Sequence, residues 1–243
     1  MEDVQYMFPP TKTCFSLIKP TMKVAQAKQI WKTCKAVCFD VDSTVVTEEG
    51  IDVLAAFCGA GEAVAEWTAK AMGGSVPFHV ALEARLDLIK PTHQQVKDCL
   101  KLHPLEFTPQ MKDLMFNLHS KGKTVFLVSG GFRQMIHPLA EELDIPITRV
   151  FANNILFDSQ GKYAGFDVAE PTSRAGGKAK VVQHVKQELG FPTVVMVGDG
   201  ATDMEARPPA DAFVGFGGVV VRESVKKGAD WFAMSAQEMI DEL

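Results

Sequence analysis

Two aspartates stand two residues apart in Phe39-Asp40-Val41-Asp42-Ser43-Thr44, directly behind a short apolar run. On an extended chain, positions i and i+2 face the same way, so both carboxylates reach one space. Two like charges that close repel unless a cation or a shared proton relieves them. The pair suits a metal site, or a nucleophile beside an acid; taken alone it is equally a solvated acidic turn. Ser129-Gly130-Gly131 follows a second apolar run and offers a hydroxyl and backbone N–H groups at a helix start, a place for a phosphate oxygen or simply a glycine turn. Lys178 follows Gly176-Gly177 at the start of a helical pattern. It could neutralise a phosphoryl group, although most lysines are surface residues. Gly198-Asp199-Gly200-Ala201-Thr202-Asp203 closes a third run. Asp199 falls beside Asp40 and Asp42 if their strands are neighbours, and Asp203 could act from behind; the alternative is a capped turn opening a helix. Each segment has a structural reading by itself. Their order, each at a predicted strand end or helix start, favours a phosphate-handling site.

The elements that must position these residues are legible as period and punctuation. Runs at 36–39, 124–128, 193–197 and 212–214 are rich in Val and Phe without alternation, as strands buried on both faces are. Residues 109–121, 132–143 and 178–189 have helical spacing, the first with apolar positions at 111, 114, 115 and 118. Strand and helix alternate, which predicts an α/β fold: a Rossmann-like parallel sheet flanked by helices, with the ligand at the carboxyl ends of the strands. Residues 48–107 break the rhythm with four helical patterns, at 51–58, 62–72, 77–89 and 94–102, and read as a helical cap inserted after the first strand. Residues 154–166, centred on Ser159-Gln160-Gly161, predict a small β-hairpin. The expected organisation is an N-terminal extension over 1–30, partly disordered and becoming helical near residue 25, a core over 31–47 and 108–243, and a cap over 48–107.

Composition narrows the function classes. The chain has 243 residues, 47% hydrophobic and 23% charged, with a net charge of −5. That balance argues against a nucleic-acid binder, which must neutralise phosphates with Lys and Arg. No apolar stretch is long enough to span a bilayer, which excludes a membrane-spanning helix. Five cysteines without a CxxC pair, and six histidines without HxH or HExxH spacing, argue against a disulfide framework or a zinc site. Free thiols fit a reducing compartment, and the cytoplasm is expected. Residues 4–35 hold six lysines and no acid, but no Arg and one Ser, unlike an Arg- and Ser-rich presequence.

In the order of these motifs the chain resembles the haloacid-dehalogenase superfamily of phosphohydrolases, and further its phosphoserine phosphatase family. The resemblance covers residue 35 to the C-terminus. It rests on Asp40 to Thr44, Glu48-Glu49-Gly50, Ala71 to Gly74, Val76-Pro77-Phe78, Leu82 to Arg85, Val128 to Phe132, Gly176-Gly177-Lys178 and Gly198 to Glu205. Thr202 stands where the superfamily often has Asn; a hydroxyl also donates a hydrogen bond. The resemblance implies hydrolysis of O-phospho-L-serine, the last step of serine biosynthesis, through an aspartyl-phosphate on Asp40. Asp42 would be general acid and base. Mg²⁺ would be held by Asp40, the Asp42 backbone carbonyl and Asp199. Ser129, Gly130, Gly131 and Lys178 would hold the phosphoryl oxygens, and Asp203 would order Lys178 or a metal-bound water. Glu49 would take the substrate ammonium and Arg85 its carboxylate, with Met72, Gly73, Phe78, Thr202 and Arg222 nearby. The partner is then a small molecule, with no nucleic acid or membrane; a homodimer is compatible.

Two other readings remain open at this level. One is a phosphatase of phosphoethanolamine, phosphocholine or a sugar phosphate, whose substrates lack the carboxylate that Arg85 would grip. The other is a catalytically silent phosphoserine-binding module on the same scaffold.

Overall fold

The computed structural model describes residues 22–72 and 76–243, with the side chains of 69, 71 and 72 excepted. Along the chain, α1 (Val24–Thr33), β1 (Ala36–Phe39), α2 (Gly50–Phe57), α3 (Gly61–Met72), α4 (Phe78–Ile89), α5 (His93–Leu102) and α6 (Met111–Ser120) form the first half. Then come β2 (Thr124–Phe132), α7 (Arg133–Glu142), β3 (Val150–Asn153), β4 (Ile155–Phe157), β5 (Tyr163–Phe166) and α8 (Gly177–Gln187). The chain closes with β6 (Val194–Gly198), α9 (Ala201–Met204), β7 (Ala212–Phe216), α10 (Glu223–Gly228), β8 (Trp231–Ala233) and α11 (Ala236–Asp241).

Six strands form one sheet in the order β3-β2-β1-β6-β7-β8, every pairing parallel. The pleat divides the core into two layers. Val37, Phe39, Val125, Leu127, Val195 and Val197 join a cluster with Trp31, Leu114, Met135 and Trp231. Ala36, Cys38, Phe126, Val128, Val194 and Met196 join the other, with Val181, Val182 and Val185 of α8. A strand buried on both faces has no polar alternation, which is why the runs read as continuous apolar segments. β4 and β5 pair antiparallel as a separate hairpin. Helices α2 to α5 lie between β1 and β2, where the rhythm of the sequence breaks.

α1 starts at Val24, close to the helical start expected near residue 25, and buries Ala27 and Trp31 fully against the core. One expectation is corrected. The strand read as 124–128 runs on to Phe132, so Ser129, Gly130 and Gly131 lie in an extended strand end, not at a helix start; α7 begins only at Arg133. Residues 1–21 lie outside the described part, as does Gly73 and the side chain of Met72. Four of the five cysteines are described, and all four are unpaired thiols.

Lys123 shows how the second half grips the first. Its buried ammonium donates to the carbonyls of Trp31, Lys32 and Cys34, at 3.0, 2.9 and 3.1 Å. These carbonyls end α1, where backbone acceptors lack helical partners and a cation is favoured. Lys123→Met keeps the stem and strands the carbonyls. It is expected to cost about 2–3 kcal/mol, read as a lower urea midpoint with unchanged slope.

Candidate active site

β1 lies between β2 and β6, at the point where the strand order reverses, so its carboxyl end opens into a crevice. A cavity of about 290 Å³ sits there. Asp40, Asp42, Gly130, Gly131, Lys178, Asp199, Thr202 and Arg222 line it from the sheet side. Glu49, Phe78, Leu82 and Arg85 line it from the helical insertion. Of the residues expected from sequence, Ser129 and Asp203 do not line it, and Gly73 and the Met72 side chain lie outside the described part. Ser129 is fully buried, accepts the Gly131 N–H at 2.8 Å and directs its hydroxyl to Asp42 Oδ2 at 3.4 Å, so it meets the cavity only through its neighbours.

The aspartates separate into different environments. Asp40 Oδ1 accepts the Val41 N–H at 2.8 Å and pairs with Lys178 Nζ at 2.7 Å. Asp42 faces away from that cation: its Oδ1 accepts the Gly50 N–H at 2.8 Å, at the start of α2. Between them the chain winds through an irregular turn over 41–45, in which Ser43 takes a left-handed φ of 54°. That turn aims the Ser43 hydroxyl at Glu49 Oε1, 2.9 Å away. Asp199, from the end of β6, accepts from Arg222 Nε at 2.9 Å and from the Thr44 hydroxyl at 3.4 Å. Asp203 is fully buried with both oxygens engaged, one by Lys178 at 2.6 Å and one by the Gly200 N–H at 2.9 Å.

Burial and mutual repulsion dominate the electrostatics. Loss of solvent, then the charges of Glu49 and Asp40, push the Asp42 carboxyl up to about 8. Desolvation and Asp40 likewise push Asp203 up to about 8 and raise Asp199. Glu49 is raised chiefly by burial. Lys178 moves the other way for its burial: Asp203 and Asp40 together hold its proton well above the usual range. One ammonium serves both acids, so the pair does not bring Asp203 down; the site is short of positive charge.

That shortage bears on a metal. Asp40, Asp199 and Asp203 bring carboxylate oxygens within 4.8 Å of one another, all three residues buried. An all-oxygen, acid-rich donor set fits a hard divalent cation. Both Asp203 oxygens are held at 2.9 Å or less, whereas Asp199 Oδ1 has only a 3.4 Å contact from Thr44 and the Asp40 contacts fall on its Oδ1, so Asp40 and Asp199 are the less tightly engaged of the three.

Arg85 is buried on α4, a position with no room for an unused cation. Its Nε donates to the Ala81 carbonyl at 3.2 Å and one terminal nitrogen to Thr68 Oγ1 at 3.4 Å. Thr68 in turn donates to Asp52 Oδ1 at 3.0 Å. Thr68 and Asp52 went unnoticed in the sequence because they lie on α3 and α2, and no spacing along the chain marks their meeting. Asn153 is a second such residue: fully buried, it donates to the Gly130 carbonyl at 2.7 Å and accepts from Thr172 at 3.0 Å, fixing the strand end at the cavity.

Close packing makes one glycine critical. A Cβ on Gly198 would stand 2.3 Å from the Asp203 carboxyl group. Gly198→Ala is expected to displace Asp203, lose about 1–3 kcal/mol of stability and cut turnover by roughly 10²-fold through a misplaced Lys178. Thermal unfolding and steady-state kinetics on the one variant check both.

Fold and site together define a parallel-sheet α/β protein with paired aspartates at the switch point of its sheet. Residues 34–211 match the model of the haloacid dehalogenase-like hydrolases. The chain is 52% identical over 216 residues to a chloroplastic phosphoserine phosphatase of Arabidopsis thaliana, covering 88% of this chain and 73% of that one. It is 50% identical over 219 residues to a phosphoserine phosphatase of Bos taurus, covering 90% and 97%. Among solved structures, a phospho-aspartyl intermediate analogue of phosphoserine phosphatase superposes with a TM-score of 0.76 at 27% identity, covering 86% and 99%. The chain belongs to the haloacid dehalogenase-like hydrolase family, and within it to the phosphoserine phosphatases. Among the described residues no helix is long and apolar enough to cross a membrane.

Proposed function

We propose that the protein hydrolyses O-phospho-L-serine to L-serine and phosphate, with Mg²⁺, through an aspartyl-phosphate on Asp40. The observation that carries this reading is that the cavity joins a Lys178-bound aspartate on one wall to Glu49 and Arg85 on the other. Phosphoserine has a group for each: phosphate, ammonium and carboxylate.

Asp40 attacks phosphorus while the bond to the seryl oxygen breaks, and Asp42 gives that oxygen its proton. A carboxyl raised to about 8 holds a proton at neutral pH, as the acid in this step must. Asp42, now ionised, takes a proton from water as its oxygen attacks the phosphoryl group, releasing phosphate and restoring Asp40. Lys178 and the N–H group of Gly130 face the phosphoryl oxygens as charge redistributes, with Ser129 directed at Asp42 and accepting the Gly131 N–H. Asp40, the Asp42 carbonyl and Asp199 would hold Mg²⁺, which screens the carboxylates from the anionic substrate and polarises the phosphoryl group. Glu49 takes the ammonium. Arg85 takes the carboxylate in a fork that Thr68 and Asp52 orient. Phe78 and Leu82 close the apolar side, and Thr202 and Arg222 border the phosphate. The helices over residues 48–107 act as the cap that excludes water.

The reading places the enzyme in an aqueous reducing compartment, the cytoplasm, and allows a homodimer, which light scattering would read. The test of function is phosphate release from L-phosphoserine with and without Mg²⁺, beside phosphoethanolamine. Mg²⁺-dependent release with strong preference for phosphoserine is expected. Equal turnover of the two esters would sink the roles of Glu49 and Arg85.

A further inference from the structure

The cavity is lined by four cationic side chains, Arg85, Arg174, Lys178 and Arg222, and three are committed. Lys178 pairs with Asp40 and Asp203, Arg222 with Asp199, and Arg85 is buried and held to Ala81 and Thr68. Arg174 differs. It is exposed, and among the described residues its guanidinium makes no ion pair or side-chain hydrogen bond. Its backbone is pinned: its N–H donates to the Pro171 carbonyl at 3.4 Å, and its own carbonyl accepts from Gly177 at 3.0 Å. Gly177 leaves no slack, since a Cβ there would stand 2.0 Å from the Pro171 oxygen. A free cationic head thus projects from a fixed point four residues before Lys178.

Its surroundings give that head two places to go. Arg174 also lines a second groove, of about 610 Å³, between α4 and β5, which carries the acids Glu83 and Asp87. It therefore stands at the junction of an acidic groove and the catalytic cavity. A phosphate monoester arriving from solvent must approach a cavity containing Asp40, Asp42, Glu49 and Asp199, in a protein of net charge −5. Without a free cation at the mouth, the approach is repulsive until the ester meets the inner groups.

We propose that Arg174 is the capture residue of this enzyme: the free guanidinium at the mouth that attracts the dianionic phosphate ester and passes it to Lys178. This rests on the phosphate-ester reading above and adds the route by which the ester enters. Arg174 does not touch the reacting atoms. A rim charge acts on association and its salt dependence rather than on the chemical step.

The test is steady-state kinetics with O-phospho-L-serine at saturating Mg²⁺, on wild type, Arg174→Ala, Arg174→Glu and Arg174→Lys, from about 20 to about 300 mM KCl, across which screening shortens several-fold. Arg174→Ala is expected to lower kcat/KM by about 3–10-fold at low salt with kcat within twofold, and to flatten its decline with salt. Arg174→Glu should lose more, and Arg174→Lys should recover most of the loss. Unchanged kcat/KM and salt slope in the Ala and Glu variants would overturn the proposal, as would a kcat that falls in step with kcat/KM. Calorimetric binding of inorganic phosphate to the same proteins separates this from the substrate assignment. If wild type ignores phosphoserine yet the Ala and Glu variants bind phosphate more weakly and Lys does not, capture stands and the substrate reading falls. Equal phosphate affinity in all four refutes capture whatever the substrate.

Discussion

Asp40→Asn is expected to remove at least about 10⁴-fold of phosphate release from O-phospho-L-serine, because the amide cannot form the covalent intermediate. The variant should nevertheless fold as well as the wild type. Asp40 contributes to raising Asp42, Asp199 and Asp203, which means that its charge repels theirs. Removing that charge relieves three buried acids, while Lys178 keeps Asp203 at 2.6 Å. Loss of the Asp40–Lys178 contact works against this gain, so a melting temperature close to or above that of the metal-free wild type is expected. Function and stability then part company at one residue, as they do where an active site is held together against repulsion. Malachite-green phosphate assays and thermal unfolding in a chelator read the two halves. Residual turnover within about 100-fold of wild type would remove Asp40 from the nucleophile role.

The parts of the structure that the sequence exposed are those where one local rule acts alone. Runs at 36–39 and 194–197 read as buried strands because every residue there faces one of two apolar layers. The four helices α2 to α5 carry clean punctuation: Gly59, Gly61, Pro77, Pro91 and Pro104 stand at or near their ends. β3 and β8, of four and three residues, escaped notice. Runs that short are no longer than chance, and what makes them strands is the open hydrogen-bonding edge of β2 or β7 beside them. The same applies to β2 beyond Val128. Glycines normally end a strand, but Asn153 reaches across to the Gly130 carbonyl and holds the segment extended. Of the site, the residues carried by compact motifs came together on one wall. What stayed hidden were interactions across elements: Ser129 turned toward Asp42, and Asp52 and Thr68 behind Arg85. Those depend on how helices pack, which no single stretch of sequence encodes.

Asp42→Asn is expected to cost about 10²–10⁴-fold with phosphoserine, the range for loss of a positioned proton donor. The substitution is close to isosteric, and an amide oxygen can still accept the Gly50 N–H that now meets Oδ1 at 2.8 Å. Geometry is therefore kept and proton transfer is lost. The distinguishing result lies in the leaving group. A seryl alkoxide needs a proton to depart, whereas the phenolate of p-nitrophenyl phosphate leaves without one. With that ester the first step should survive the substitution, and the second should not, because water still needs a base. Asp42→Asn should then accumulate the aspartyl-phosphate, seen as a burst of nitrophenolate equal to the enzyme concentration followed by slow turnover. With phosphoserine no burst should appear. The direction of the pKa shift supports the same assignment: a group raised to about 8 is protonated below that pH and begins the cycle as the acid. Equal losses with the two esters, and no burst with either, would mean that Asp42 serves the site by charge or position alone, and that the proton for the seryl oxygen comes from elsewhere.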